Sequence, residues 1–139
     1  MARYLYILGS IPFLLLGGLH FVYSLMDTVT PRKIVPRDRA LIPQMEASAL
    51  RITAETNVWR AWLGFNLSHG LGVFFFGFVY LALAAQSFAL LQAAPALLFA
   101  APVIAIVYLV LSVKYFFRVP AMGSAVGAVC FLAGLFFAL

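Results

Sequence analysis

Charge is scarce in this chain. Only 9% of its 139 residues are Asp, Glu, Lys or Arg, against about a quarter in an ordinary soluble domain. With 65% hydrophobic residues and a mean hydropathy of +1.08, no water-soluble surface can be built, so the chain reads as an integral membrane protein of one domain, residues 1–139. Cysteine is nearly absent. The single Cys130 excludes an intrachain disulfide and a CxxC redox pair, and it says nothing about compartment. The four acids (Asp27, Asp38, Glu46, Glu55) leave a formal charge of +5. The basic residues sit in loops beside apolar stretches, where topology and anionic lipid account for them, and no nucleic-acid partner is expected. Phosphate loops, dinucleotide fingerprints, HExxH, paired Glu-x-x-His and GxSxG are all missing.

What the chain has is apolar length. Four stretches reach the roughly 20 residues that a bilayer requires: Tyr4–Met26, Arg60–Ala85, Leu90–Phe117 and Val119–Leu139. The first is too long for a signal h-region and no Ala-x-Ala site follows it, so it reads as a retained span. The later connections are minimal, Gln86–Ser87 and then Arg118–Val119–Pro120. Short links force antiparallel neighbours, so the expected fold is an all-α membrane protein, a four-helix up-down-up-down bundle. Eight of the nine basic residues (Arg32, Lys33, Arg37, Arg39, Arg51, Arg60, Lys114, Arg118) lie on one side and only Arg3 on the other. That bias predicts a bacterial inner-membrane protein with periplasmic termini and a cytoplasmic loop 27–59.

The loop holds all four acids. Its first half carries Pro31, Pro36 and Pro43 and is expected to be irregular; the second, QMEASALRITAETNVW, lacks Pro and Gly and is expected to be an interfacial helix or an extension of the second span. Pro95 and Pro102 should kink the third span and Pro12 the first. Gly123, Gly127, Cys130 and Gly134 line one face of the fourth span, read as an intramolecular packing face in preference to a dimer seam. Trp59, Trp62 and Tyr115 fit an aromatic belt.

Polar groups inside the spans are few and clustered. On the first span Gly17, His20, Tyr23, Ser24 and Asp27 recur at three-and-four spacing; Glu55, Trp59, Trp62, Asn66, His69, Val73, Phe76 and Tyr80 do the same into the second. A polar group in hydrocarbon is costly without a partner, so these stripes should face other helices. At about 1.5 Å per residue, His20 and Asn66 lie roughly 9–10 Å inside the boundary and His69 roughly 14 Å. The third span adds Tyr108 and Ser112 at the same end.

These residues define a candidate polar pocket: His20, Tyr23, Ser24, Asp27, Glu55, Asn66, His69, Tyr108 and Ser112. Several functions compete for it. An interhelical hydrogen-bond network would join His20 to Asn66 or Tyr108, and His69 to Ser24 or a backbone carbonyl. A b-type haem, or a quinone-linked redox role, would use His20 and His69, with Gly17, Gly18, Gly70 and Gly72 admitting a flat ring. A lipid-modifying acid–base enzyme would draw on His20, His69, Asp27, Glu55 and Tyr108. No other metal site is expected, because the acids lie about two turns from the histidines. The polar inventory is thin for an enzyme. It favours a non-catalytic accessory or assembly subunit of a larger membrane complex, or a binder of lipid or another hydrophobic small molecule. Membrane lipids and other membrane subunits are the expected partners.

GGLHFVYSL in the first span, the proline-and-arginine loop and NVWRAWLGFNLSHGLG entering the second together resemble the small four-span bacterial inner-membrane proteins of the DoxX-like kind. The resemblance spans the chain in architecture. It implies the fold, and it carries over no residue role.

Overall fold

The computed structural model describes residues 1–139. Four helices are long and apolar enough to cross a membrane: α1 (Ala2–Val29), α3 (Val58–Ala93), α4 (Pro95–Tyr115) and α5 (Arg118–Phe136). A short helix α2 (Leu41–Ala47) and two strands, β1 (Ala49–Leu50) and β2 (Thr53–Asn57), fill the connection between α1 and α3. In each span only 22–28% of the most hydrophobic window is buried within the protein. Residues such as Leu15, Phe65, Phe75, Val113 and Val129 are more than half exposed. So much open apolar surface is stable only in lipid, and the protein is an all-α membrane protein with four spans.

The chain divides into two compact units, one of residues 1–16 and 73–139, the other of residues 17–72. The first is a four-helix bundle. Its pairings run in opposite directions: on α5, Gly123 lies against Leu16, Gly127 against Phe13 and Gly134 against Tyr6, so α1 is antiparallel to α5. Gly77 of α3 approaches Ser10 and Leu14 of α1, and Arg3 donates to the Ala85 carbonyl at 2.6 Å. An added methyl at Gly134 would sit 2.7 Å from the Tyr6 ring, so the small-residue stripe of α5 is consumed inside the chain. Between the helices, Tyr6, Phe13, Phe76, Tyr80, Phe88, Tyr108 and Phe131 form an aromatic core with ring centroids 4.8–6.4 Å apart.

One tyrosine repairs what proline breaks, and a second bonds to the adjacent turn. Pro102 lies inside α4 and has no N–H, which leaves the carbonyl of Leu98, four residues earlier, without its helical donor. The buried Tyr6 hydroxyl donates to that carbonyl at 2.6 Å. Tyr80 donates to the neighbouring Leu97 carbonyl at 2.9 Å.

Several expected boundaries shift. The sequence from Gln44 to Trp59 is not one helix: α2 stops at Ala47, Ser48 is extended, and a hairpin follows with Ala49 opposite Asn57 and Leu50 opposite Thr53. Four β-branched residues (Ile52, Thr53, Thr56, Val58) weaken a helix there. Asn57 caps α3 instead, its side-chain oxygen accepting from Arg60 N at 2.8 Å. Pro43 is accommodated in the first turn of α2. At the other end of α3, Ser87 is non-helical (φ −154°, ψ 89°), yet helix resumes to Ala93. The turn into α4 is at Ala94, because Pro95 disfavours helical backbone in the residue before it and suits the first helical position. The last link is Phe116–Phe117, with Pro120 in the first turn of α5.

Candidate functional site

The second unit, residues 17–72, holds most of the candidate polar residues. It pairs the last three turns of α1 with the first four of α3 and folds the connecting segment onto itself. On α3 the buried positions are Trp59, Asn66 and Gly70; on α1 they are Gly17, Ser24 and Asp27. Both sets follow helical spacing, so the polar stripes are the inward faces. Glu55 is the exception. It lies on β2, exposed, and lines an open cavity of about 330 Å³ together with Glu46, Asn57 and Arg60.

Three candidates come together. Asn66 Nδ2 donates to the Trp62 carbonyl one turn back at 2.8 Å, so its Oδ1 is the acceptor for His20 Nε2 at 3.1 Å. The amide orientation thus assigns the His20 proton to Nε2. The His69 ring meets His20 edge to face, centroids 5.3 Å apart, and stacks on Phe65 at 6.0 Å. Ser24 turns back to its own helix, donating its hydroxyl proton to the His20 carbonyl at 2.8 Å.

Backbone proximity at this level is extreme. A methyl at Gly70 would lie 2.7 Å from Phe21 N and 2.8 Å from Phe21 Cα, so the glycine is there to let α1 and α3 touch. That contact excludes the haem arrangement the histidines suggested. A haem would separate two axial imidazoles across a flat macrocycle. Here the imidazoles are in mutual contact at 81°, His20 Nε2 is engaged by Asn66, and the helix backbones close over the space beside them. The residues do not fit a haem held between them.

Asp27 also has a different employment. Its buried carboxylate accepts three backbone N–H groups: Arg32 at 2.7 Å and Lys33 at 2.9 Å on one oxygen, Ile34 at 2.5 Å on the other. Lys33 Nζ lies 5.2 Å from the centre of the Tyr23 ring, and Trp62 Nε1 donates to the Ile34 carbonyl at 2.9 Å. The irregular loop is therefore pinned at three points. Asp27 holds the loop and not a histidine, which removes it from an acid–base set.

Tyr108 and Ser112 belong to the other unit. The Tyr108 ring packs on Phe13 and Phe76, and the buried Ser112 faces Ser124 of α5 at 3.4 Å.

No protein family, curated protein or solved structure matches this chain. Its own geometry must carry the functional reading. Two features of that geometry escaped sequence reasoning. The first is the loop cage around Asp27, whose only local signal is an acid just before a Pro-Arg-Lys run. The second is a seam on the outer face of α3. Gly64, Ser68 and Gly72 recur every four residues and are all exposed, and a methyl at either glycine would meet nothing within 4 Å. The spacing was visible in the sequence; the emptiness was not. Gly72, expected to admit a flat ring, faces open space instead.

Proposed function

We propose that this protein is a non-catalytic subunit of a larger complex in a bacterial inner membrane, and that it docks to a transmembrane helix of a partner protein through Gly64, Ser68 and Gly72. The contrast among the glycines carries this reading. Gly9, Gly70, Gly77, Gly123, Gly127 and Gly134 each have a neighbour close to where a Cβ would be, whereas Gly64 and Gly72 have none. No glycine has positive φ, so neither is explained by backbone conformation. Small residues on one helical face let a second helix approach closely in lipid, where van der Waals contact replaces the hydrophobic effect as the driving force. The His20–Asn66–His69 cluster then serves as a clasp that sets the register of α1 on α3.

The excess of positive charge in the 27–59 segment and at Lys114 and Arg118 supports periplasmic termini and a cytoplasmic loop. The resemblance of the first span, the loop and the entry to the second span to DoxX-like proteins supports the same small inner-membrane setting.

The test is photo- or disulfide crosslinking from Ser68→Cys in native membranes, combined with gentle purification of wild type and Gly64→Leu/Gly72→Leu. The expected result is a crosslink to a different polypeptide, and loss of that polypeptide from the double-leucine variant while the variant itself stays folded. A Ser68→Cys species that forms only self-dimers, or a wild-type protein that purifies alone, would overturn the reading.

A further inference from the structure

The basic loop that Asp27 folds has no use in the clasp or the seam. Residues 30–34 curl over the end of α1, where the apolar run of the first span stops. An open cavity of about 560 Å³ lies there, lined by Met26, Asp27, Val29, Thr30, Arg32 and Lys33. Volumes of a few hundred Å³ hold ligands the size of a lipid headgroup with the start of its chains. The wall has two chemistries. Arg32, Lys33 and Thr30 bring cationic and hydrogen-bonding groups to it, and Met26 and Val29, 52% and 85% exposed, bring apolar ones.

From this combination we infer that the loop is a binding site for an anionic phospholipid, its phosphate held by Arg32 and Lys33 and its glycerol and upper chains laid along Met26 and Val29. The nearby carboxylate offsets one of the two positive charges, but Asp27 is 1% exposed and its oxygens accept the amides of Arg32, Lys33 and Ile34, so it is directed at the loop backbone and a net positive charge remains. Those bonds hold the backbone at both basic residues, which lowers the ordering cost of binding to that of the side chains. The Tyr23 ring beside the Lys33 ammonium adds a fixed position for that charge. A guanidinium offers paired donors to phosphate oxygens and an ammonium a compact point charge, which is a common division of labour in phosphate recognition. The apolar wall selects lipid over free phosphate, since an inorganic anion gains nothing from Met26 and Val29. The inference does not depend on the partner helix proposed for α3.

Trp62 supplies the reporter. Its indole is bonded to the Ile34 carbonyl and is 40% exposed, whereas Trp59 is shielded at 7%. The full-length protein in phosphatidylcholine nanodiscs would be titrated with brominated-chain phosphatidylglycerol or, as control, brominated-chain phosphatidylcholine. Phosphatidylglycerol should quench at a much lower mole fraction. A charge-assisted hydrogen bond from each basic side chain to the phosphate is worth about tenfold or more in binding, so Arg32→Gln/Lys33→Gln should lose roughly 100-fold of the preference. Arg37→Gln/Arg39→Gln removes the same charge outside the cavity and should retain most of it, and Arg32→Lys/Lys33→Arg should keep it. Equal quenching by the two lipids would overturn the site. Equal loss in the two glutamine variants would reduce it to diffuse attraction and overturn it as well. Displacement of the lipid by millimolar sodium phosphate at constant ionic strength would overturn the lipid assignment in favour of a free anion.

Discussion

Replacing Tyr6 by Phe tests how the bundle tolerates a proline inside its third span. The hydroxyl is the donor to Leu98 O at 2.6 Å, and that carbonyl has lost its helical partner to Pro102. Phenylalanine keeps the ring, and with it the edge-to-face contacts to Phe88 and Phe131 at 5.4 and 5.3 Å. The loss is confined to one hydrogen bond at a fully buried position. Leaving a buried carbonyl without a donor costs about 1–3 kcal/mol, so Tyr6→Phe should destabilise by roughly 2 kcal/mol. Pro102→Ala restores an N–H to Leu98 O. In that background Tyr6→Phe should cost under about 1 kcal/mol, since the carbonyl keeps one donor. The four proteins form a double-mutant cycle with an expected coupling of about 1–2 kcal/mol, measurable by reversible unfolding in mixed micelles or by steric trapping in bicelles. The same cost of Tyr6→Phe in both backgrounds would refute the account, because the hydroxyl would then not be answering for the proline.

The remaining predictions concern the clasp, the loop and the glycines. Asp27→Asn keeps the shape of the carboxylate but presents an NH2 group where an acceptor is needed. Charge-assisted bonds of this kind are worth about 1.5–3 kcal/mol, so the amides of Arg32–Ile34 should exchange with solvent about a hundredfold faster by hydrogen–deuterium exchange. Unchanged exchange there would sink the loop cage. Gly127→Leu should destabilise by at least about 1–3 kcal/mol, since its side chain would collide with Phe13. Gly64→Leu should stay within about 0.5 kcal/mol, because its Cβ meets nothing; the reverse order would place the seams wrongly. His20→Phe should cost about 1–3 kcal/mol, since it leaves the buried Asn66 Oδ1 without its donor, and a larger loss would show that His20 does more than clasp Asn66. Haemin added to the purified protein should give no shifted Soret band, read by absorbance, and a band abolished by His20→Ala would contradict the closed geometry around Gly70.

Legibility differed by residue type. The inward faces of α1 and α3 were readable from Gly17, Ser24, Asn66, Val73 and Tyr80, because helical periodicity is a local property that survives packing. Glu55 was misplaced on such a face, since a helix and a short hairpin compete closely when β-branched residues alternate with Ala and Glu. Gly70 and Gly72 looked alike in sequence. Only their neighbours, the Phe21 backbone for one and open space for the other, separate them.

Composition and apolar length alone determined that four helices would cross a membrane and that most of the few polar groups in them would turn inward, because hydrocarbon penalises a polar group without a partner. The exposed Ser68 meets that demand within its own helix, on the Phe65 carbonyl. The partners those groups find were decided only in three dimensions. Asp27 reaches loop amides, Tyr6 reaches the carbonyl that Pro102 orphans, and the two imidazoles meet each other with no room for a cofactor between them. Hydrogen-bond satisfaction depends on distances across the fold, and sequence spacing specifies those only along a single helix.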